Sequence, residues 1–191
     1  MRQSHKINNL FTLITIALIS IVMFIYVNYI PQESNLPKLP NSGLECQKEV
    51  ICFDKVFDSK LLQDGIKLLK NGDYSLIGDI TPALHMPSLI ESKFDLIQSD
   101  ELFKKAINIT QNLDSEQYLT INYQLIENDK LDPNKKSNSA HCKLYAGYLL
   151  SSFTLQGKQI FRMQIDFNSY DLRELEKRID CTIKAFLHHE K

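Results

Sequence analysis

The chain contains little glycine and lacks the short motifs by which many enzymes are recognised. It has six glycines in 191 residues. Glycine-rich phosphate loops do not occur, nor do the H-E-x-x-H and G-x-S-x-G motifs. Scarce glycine also argues against a nucleotide site built from backbone amides. The sequence therefore predicts no cofactor, and an enzymatic function is the less favoured interpretation.

An excess of positive charge is also missing. The apolar stretch near the N-terminus is followed by 20 of the 22 cationic residues and by all 23 acidic residues. This part of the chain therefore carries a net charge near −3. Such a mild negative charge gives no basic surface for nucleic acid and no polybasic patch for anionic lipid.

Charged residues are absent from residues 7–30. A helix of this length is roughly 36 Å long, which is enough to cross a hydrocarbon core of about 30 Å. A cleaved signal peptide is the alternative, but its apolar region is about 7–15 residues long and ends at a small-residue cleavage site. The stretch therefore predicts an uncleaved transmembrane anchor in contact with the lipid bilayer.

The flanking charges predict which way the anchor points. Arg2 and Lys6 lie in the tail of residues 1–6, so the positive-inside bias favours a cytoplasmic N-terminus. Residues 31–43 contain three prolines and form a tether that reaches roughly 40 Å when extended. Residues 44–191 are then expected to form a periplasmic domain held at the inner membrane of a bacterium.

Four cysteines follow the apolar stretch, namely Cys46, Cys52, Cys142 and Cys181. An even number in an exported domain predicts two disulfides. No C-x-x-C pair is present, so no metal site is predicted. Cys46–Cys52 with Cys142–Cys181 is the preferred pairing. Cys181 falls on the polar side of its predicted helix, which leaves a bridge to the N-terminal segment as the alternative.

The hydrophobic pattern predicts an α+β domain. Residues 118–127 and 160–168 alternate between apolar and polar side chains, which is typical of an antiparallel sheet with one solvated face. Further elements predicted are helices at 60–71 and 100–113, strands at 74–80 and 142–155, a hairpin turn at 156–158 and a final helix at 170–189. The expected fold is a sheet of three or more antiparallel strands covered by the amphipathic C-terminal helix. Residues 44–58 give no clear pattern.

The polar side of this sheet is the candidate binding surface. Its predicted members alternate along two strands and are Tyr118, Thr120, Asn122, Gln124, Arg162 and Gln164. These side chains could meet a partner protein, although a plain solvated face is the common alternative for such sheets.

Two loops contain residues with catalytic or metal-binding side chains. His85 lies close to Ser88, but no nucleophile elbow surrounds the serine, and a surface or packing role is favoured. The loop Asp129–Asn138 has the oxygen ligands of a calcium site without the glycine and closing glutamate of the EF-hand pattern. It is interpreted as a solvated loop.

Topology and missing motifs together favour a non-enzymatic function. The leading hypothesis is an interaction or assembly module of an envelope complex, with an envelope protein as its partner. One alternative is a membrane-held inhibitor or immunity-type binder. Another is an envelope-directed enzyme that uses the His85 loop.

Overall fold

The computed structural model describes residues 43–133 and 145–190, together with Thr15, Leu18 and Ile19. The chain divides into two compact units, Met1–Ser42 and Gly43–Lys191. In the first unit the three described residues are helical and exposed. Apart from these and Gly43, the predicted anchor, tail and tether lie outside the described residues, as does Cys142. Within the described part of the chain, no helix combines the length and apolar character needed to span a membrane.

The second unit is built on a mixed sheet of five strands. Their bounds are β1 Cys52–Val56, β2 Tyr74–Thr81, β3 Leu119–Glu127, β4 Gly147–Leu155 and β5 Lys158–Phe167. The order across the sheet is β1-β5-β4-β3-β2. All neighbouring pairs are antiparallel except β2 and β3, which are parallel.

Five helices accompany the sheet within residues 43–133 and 145–190. They are α1 Glu45–Lys48, α2 Ser59–Asn71, α3 Ile90–Lys93, α4 Leu96–Ile107 and α5 Leu172–His188. Helices α2 and α5 pack on the central strands, and α4 packs between α5 and β2. Gly65 allows α2 to approach the sheet closely, because a Cβ at this position would lie 2.6 Å from Ile160 Cδ1.

The core lies between this helical layer and one face of the sheet. Alternate residues of β3, β4 and β5 are fully buried there, whereas their neighbours in sequence face the other way. Phe153, Phe161 and Phe186 form an aromatic cluster in which the rings of Phe153 and Phe186 stack at 4.2 Å. The α+β class and the C-terminal helix that covers the sheet are therefore confirmed.

The predicted wholly antiparallel sheet is wrong at one pair. Strands β2 and β3 are joined by a long connection that contains α3 and α4, and such a crossover returns the chain parallel to the first strand. The helix predicted at 100–113 is α4, which begins and ends earlier than predicted. Asp95 caps it by accepting a hydrogen bond from Gln98 N, and Asn108 ends it with a φ of 55°.

The disulfide pairing preferred from the sequence is wrong as well. Cys46 is bonded to Cys181, with the two Cα atoms 5.8 Å apart, and Cys52 is a free thiol. The polar side of α5 on which Cys181 was placed is covered by α1, and Cys181 is fully buried. The bridge to the N-terminal segment was the alternative that the helical position of Cys181 had left open.

Candidate functional site

Most of the predicted binding residues meet on the sheet face opposite the helices. Hydrogen-bonded register places Lys55, Arg162, Ser152, Asn122 and Ile77 in one row across all five strands. The neighbouring row contains Phe53, Gln164, Leu150, Gln124 and Asp79. We call these two rows the open face. Among the described residues no helix packs on it.

Five of the six predicted binding residues belong to this side of the sheet. Asn122, Gln124, Arg162 and Gln164 lie in the two rows, and Thr120 lies beside them on β3. The hydroxyl of Tyr118 instead donates a hydrogen bond to Leu113 O at 2.7 Å and accepts one from Ser115 N. Tyr118 therefore stabilises the loop before β3.

The open face also carries large apolar side chains that the sequence did not single out. Phe53 and Ile77 are 48% and 57% exposed. Phe57, which follows β1 on the same side, is 46% exposed. Phe53, Lys55 and Phe57 alternate along the chain, as the residues on one face of a strand do. The strand was not predicted, because Asp54 places a charged residue on the side that would face the core. That carboxylate lies 3.6 Å from His189 Nε2.

Positive charge is concentrated at the β1 side of the open face. Lys55 and Arg162 are directly opposite each other in the register of β1 and β5. Neither forms an ion pair with a described carboxylate, and Lys55 Nζ lies 5.0 Å from the centre of the Phe57 ring. Like charges that face each other across two strands destabilise the pair. We call Phe53, Lys55, Phe57 and Arg162 the cationic–aromatic patch.

The loop that contains His85 is held by two carboxylates at the end of β3. Asp129 Oδ2 accepts hydrogen bonds from Leu84 N, from His85 N and from His85 Nδ1, the last at 2.8 Å. Burial alone raises the pKa of Asp129, but these hydrogen bonds outweigh it and lower the pKa to about 2. Asp129 is therefore a carboxylate acceptor, and Nδ1 of His85 donates a hydrogen bond to it.

Glu127 forms the second attachment. It is 4% exposed and accepts hydrogen bonds from four groups: Ala83 N, Ser88 Oγ, Leu89 N and the Tyr170 hydroxyl. Burial raises the pKa of Glu127, yet the hydrogen bonds together keep the pKa below its ordinary value. The same carboxylate and burial raise the pKa of Tyr170.

This arrangement does not form a nucleophile–base pair. The Ser88 hydroxyl donates a hydrogen bond to Glu127 Oε2 at 2.6 Å and not to His85. The donors around both carboxylates are backbone amides, hydroxyls and the His85 ring, and they tie the loop to the end of β3 and to Tyr170, which precedes α5. Within the described residues the pairs Asp129–His85 and Glu127–Ser88 therefore act structurally.

Known proteins offer no guide to this chain. Comparisons with models of protein families, with curated proteins and with solved structures found no match. The assignment of function therefore depends on the geometry of the chain itself.

Metal-binding geometry is absent from the described residues. No group of three or more His, Cys, Asp or Glu side chains there could hold an ion. In the loop Asp129–Asn138, which was interpreted from the sequence as a solvated loop, Asn134 and Asn138 lie outside the described residues, and Asp129 binds the His85 loop.

Proposed function

We propose that this protein is an interaction or assembly module of an envelope complex. Residues 7–30 anchor it in the inner membrane with the N-terminus in the cytoplasm, and the domain binds an envelope protein through its open face. The observation that carries the proposal is the cationic–aromatic patch. Two facing cations that have no carboxylate partner among the described residues lie beside two half-exposed phenylalanines. The repulsion between these cations is unfavourable, and a partner with acidic groups would compensate for it.

The chemistry of the face suits recognition of a protein. Aromatic side chains and arginine are enriched at the centres of protein interfaces, where they provide most of the binding energy. Amides of Asn122, Gln124 and Gln164 around them supply donors and acceptors for a polar rim. The partner expected here carries carboxylates opposite Lys55 and Arg162 and apolar side chains opposite Phe53 and Ile77.

Site-specific photo-crosslinking in intact cells tests this proposal. A photoreactive amino acid at Phe53 or Ile77 should capture one specific envelope protein. The same probe at Lys67, which is exposed on the helical side, is the matched control and should capture none.

Reversal of the patch charges gives the second part of the test. Lys55→Glu combined with Arg162→Glu should reduce the yield of the crosslinked product at least tenfold, because two favourable charge contacts become repulsive. Control substitutions are Lys67→Glu and Lys70→Glu on α2. Equal capture from Lys67, or a yield that is unchanged by the patch reversal, would contradict binding through the open face.

A further inference from the structure

The outer edge of β2 is a second surface with unused hydrogen-bonding groups. This strand is at the end of the sheet and pairs only with β3. Asp73 O accepts from Leu119 N on the β3 side, whereas Tyr74 O faces outward and accepts from Gln111 Nε2 at 2.7 Å. Because successive residues of a strand alternate in direction, Leu76, Gly78 and Ile80 also direct their N–H and C=O groups outward.

The outward N–H and C=O groups of Leu76, Gly78 and Ile80 have no hydrogen-bond partner within residues 43–133 and 145–190. Natural proteins usually blunt such an edge, since it is a template for another strand. The strand here is eight residues long and has neither proline nor lysine. The Gln111 side chain bonds only the first outward carbonyl of the strand, so the rest of the edge is open as far as the described residues show.

A groove of about 750 Å³ runs beside this open edge. It is lined by Asp79, Ile80, Glu91, Phe94, Asp95, Leu96, Ile97 and Gln98. Three of the lining residues are acidic and four are apolar, and none is lysine or arginine. Ile97 is 79% exposed, so the groove presents apolar surface next to unpaired backbone groups.

We infer that β2 accepts an extended basic peptide as a sixth strand. Backbone hydrogen bonds to Leu76, Gly78 and Ile80 would hold the peptide, as in other cases of strand addition. Its apolar side chains would pack on Ile80 and Ile97, and its cations would lie near Asp79 and Glu91. This surface shares only Asp79, the last residue of the second row, with the open face. The inference uses none of the cationic–aromatic patch and so does not depend on the proposed function.

Charge favours a basic peptide over a second copy of this chain. Pairing of two β2 edges would bring the carboxylates around each groove towards those of the other copy. Like charges in such proximity are destabilising, whereas lysine or arginine at alternate positions of a peptide would neutralise them. The occupant is therefore a segment in which apolar and cationic residues alternate.

Binding of a peptide made of four Lys-Val repeats tests the inference. The full-length protein in dodecyl maltoside micelles is titrated against the fluorescent peptide, and empty micelles are the blank. We expect saturable binding that weakens with added salt. A Glu-Val peptide of equal length is the matched control and should not bind.

Amide hydrogen exchange identifies the surface that the peptide occupies. Exchange at Leu76, Gly78 and Ile80 should slow at least tenfold when the Lys-Val peptide binds, because their N–H groups become bonded. Ser75, Ile77 and Asp79 already pair with β3 and should not change. Absence of binding, or binding without protection of the three outward amides, would overturn the inference. Protection confined to the open face would overturn it too, while supporting the proposed function.

Substitutions on the edge separate backbone pairing from side-chain contact. Ile80→Pro removes one outward N–H and is compatible with an edge strand, so the Kd should rise about tenfold more than in Ile80→Ala. Asp79→Asn combined with Glu91→Gln should raise the Kd about tenfold, and Glu116→Gln, an exposed carboxylate elsewhere, should not change it.

A chemically modified peptide makes the test independent of protein folding. If circular dichroism shows that Ile80→Pro is misfolded, N-methylation of alternate peptide amides replaces it. One of the two possible methylated sets should abolish binding and the other should not. Equal binding by both sets, or dimerisation of the protein through β2 without peptide, would overturn the inference.

Discussion

Removal of the Cys46–Cys181 disulfide should lower the stability of the domain substantially. The bridge joins α1 to α5 across 135 residues of sequence. No residue of α1 is buried, so packing alone holds this helix weakly. Cys46→Ala is the cleanest perturbation, because Cys46 is only partly buried and its loss removes little packing. It should act by releasing a constraint on the unfolded chain.

The magnitude follows from the length of the closed loop. In the chain-entropy model a loop of about 135 residues contributes about 5 kcal/mol to the free energy of unfolding, and measured losses for native disulfides are about 2–5 kcal/mol. We expect a loss of about 3–5 kcal/mol. For a domain of this size, such a loss corresponds to a fall in Tm of roughly 10–15 °C.

Urea unfolding of the oxidised protein, with and without dithiothreitol, measures this loss. The reduced protein and Cys46→Ala should have the same lowered midpoint. Cys52→Ala is the control, because it leaves the bridge intact and removes one half-buried thiol. Equal midpoints for the oxidised and reduced protein would refute the reasoning. So would a loss of 3 kcal/mol or more in oxidised Cys52→Ala, since Cys52 would then belong to a bridge.

Two further predictions concern ionisable groups in the interior. Glu127 accepts four hydrogen bonds, whereas the amide nitrogen of a glutamine can only donate. Glu127→Gln should therefore lower the free energy of unfolding by about 3 kcal/mol at pH 7. The pKa of Glu127 is depressed in the folded state, so its contribution is complete above the unfolded value of about 4.3 and is lost as pH falls through the folded pKa. Urea midpoints at pH 7 and pH 3 should therefore differ less in Glu127→Gln than in the wild-type protein, and equal differences would contradict this role. Burial, and then the charge of Asp54, raise the pKa of the Cys52 thiol to about 12. Iodoacetamide at pH 8 should thus modify Cys52 at least 100-fold faster in urea than in the folded protein, as measured by peptide mass spectrometry; equal rates would mean that the thiol is not buried.

The best-patterned strands and the last helix could be predicted from sequence because their signals are local. Leu119, Ile121 and Leu125 alternate with polar residues, and burial on a single face produces that period directly. The hairpin turn is equally local, since Gln156 and Gly157 both have positive φ. Strand β1 was missed for the opposite reason. It places Asp54 on the inward side, where His189, distant in sequence, lies beside it, and no local pattern indicates that contact.

The cysteine pairing could not be derived from one helix considered alone. The apolar stripe of α5 assigns one side to the sheet, but Arg178, Cys181 and Thr182 are buried as well. That second buried side exists because α1 covers it, and residues 44–58 gave no pattern that would place α1 there. The helical position of Cys181 did show that its partner must reach around the helix. That observation correctly kept a bridge to the N-terminal segment among the possible pairings.

The position of β2 at the sheet edge shows where sequence information ends. Its parallel pairing with β3 was within reach, because a predicted helix between two predicted strands indicates a crossover. Strand β4 pairs with one side of β3, so β2 takes the other side and becomes the edge of the sheet. Strand β1 forms the opposite edge beside β5. The acidic groove and the unpaired amides of β2 therefore arise from long-range strand order. No local pattern around Asp79, Glu91 or Asp95 could have brought these carboxylates together.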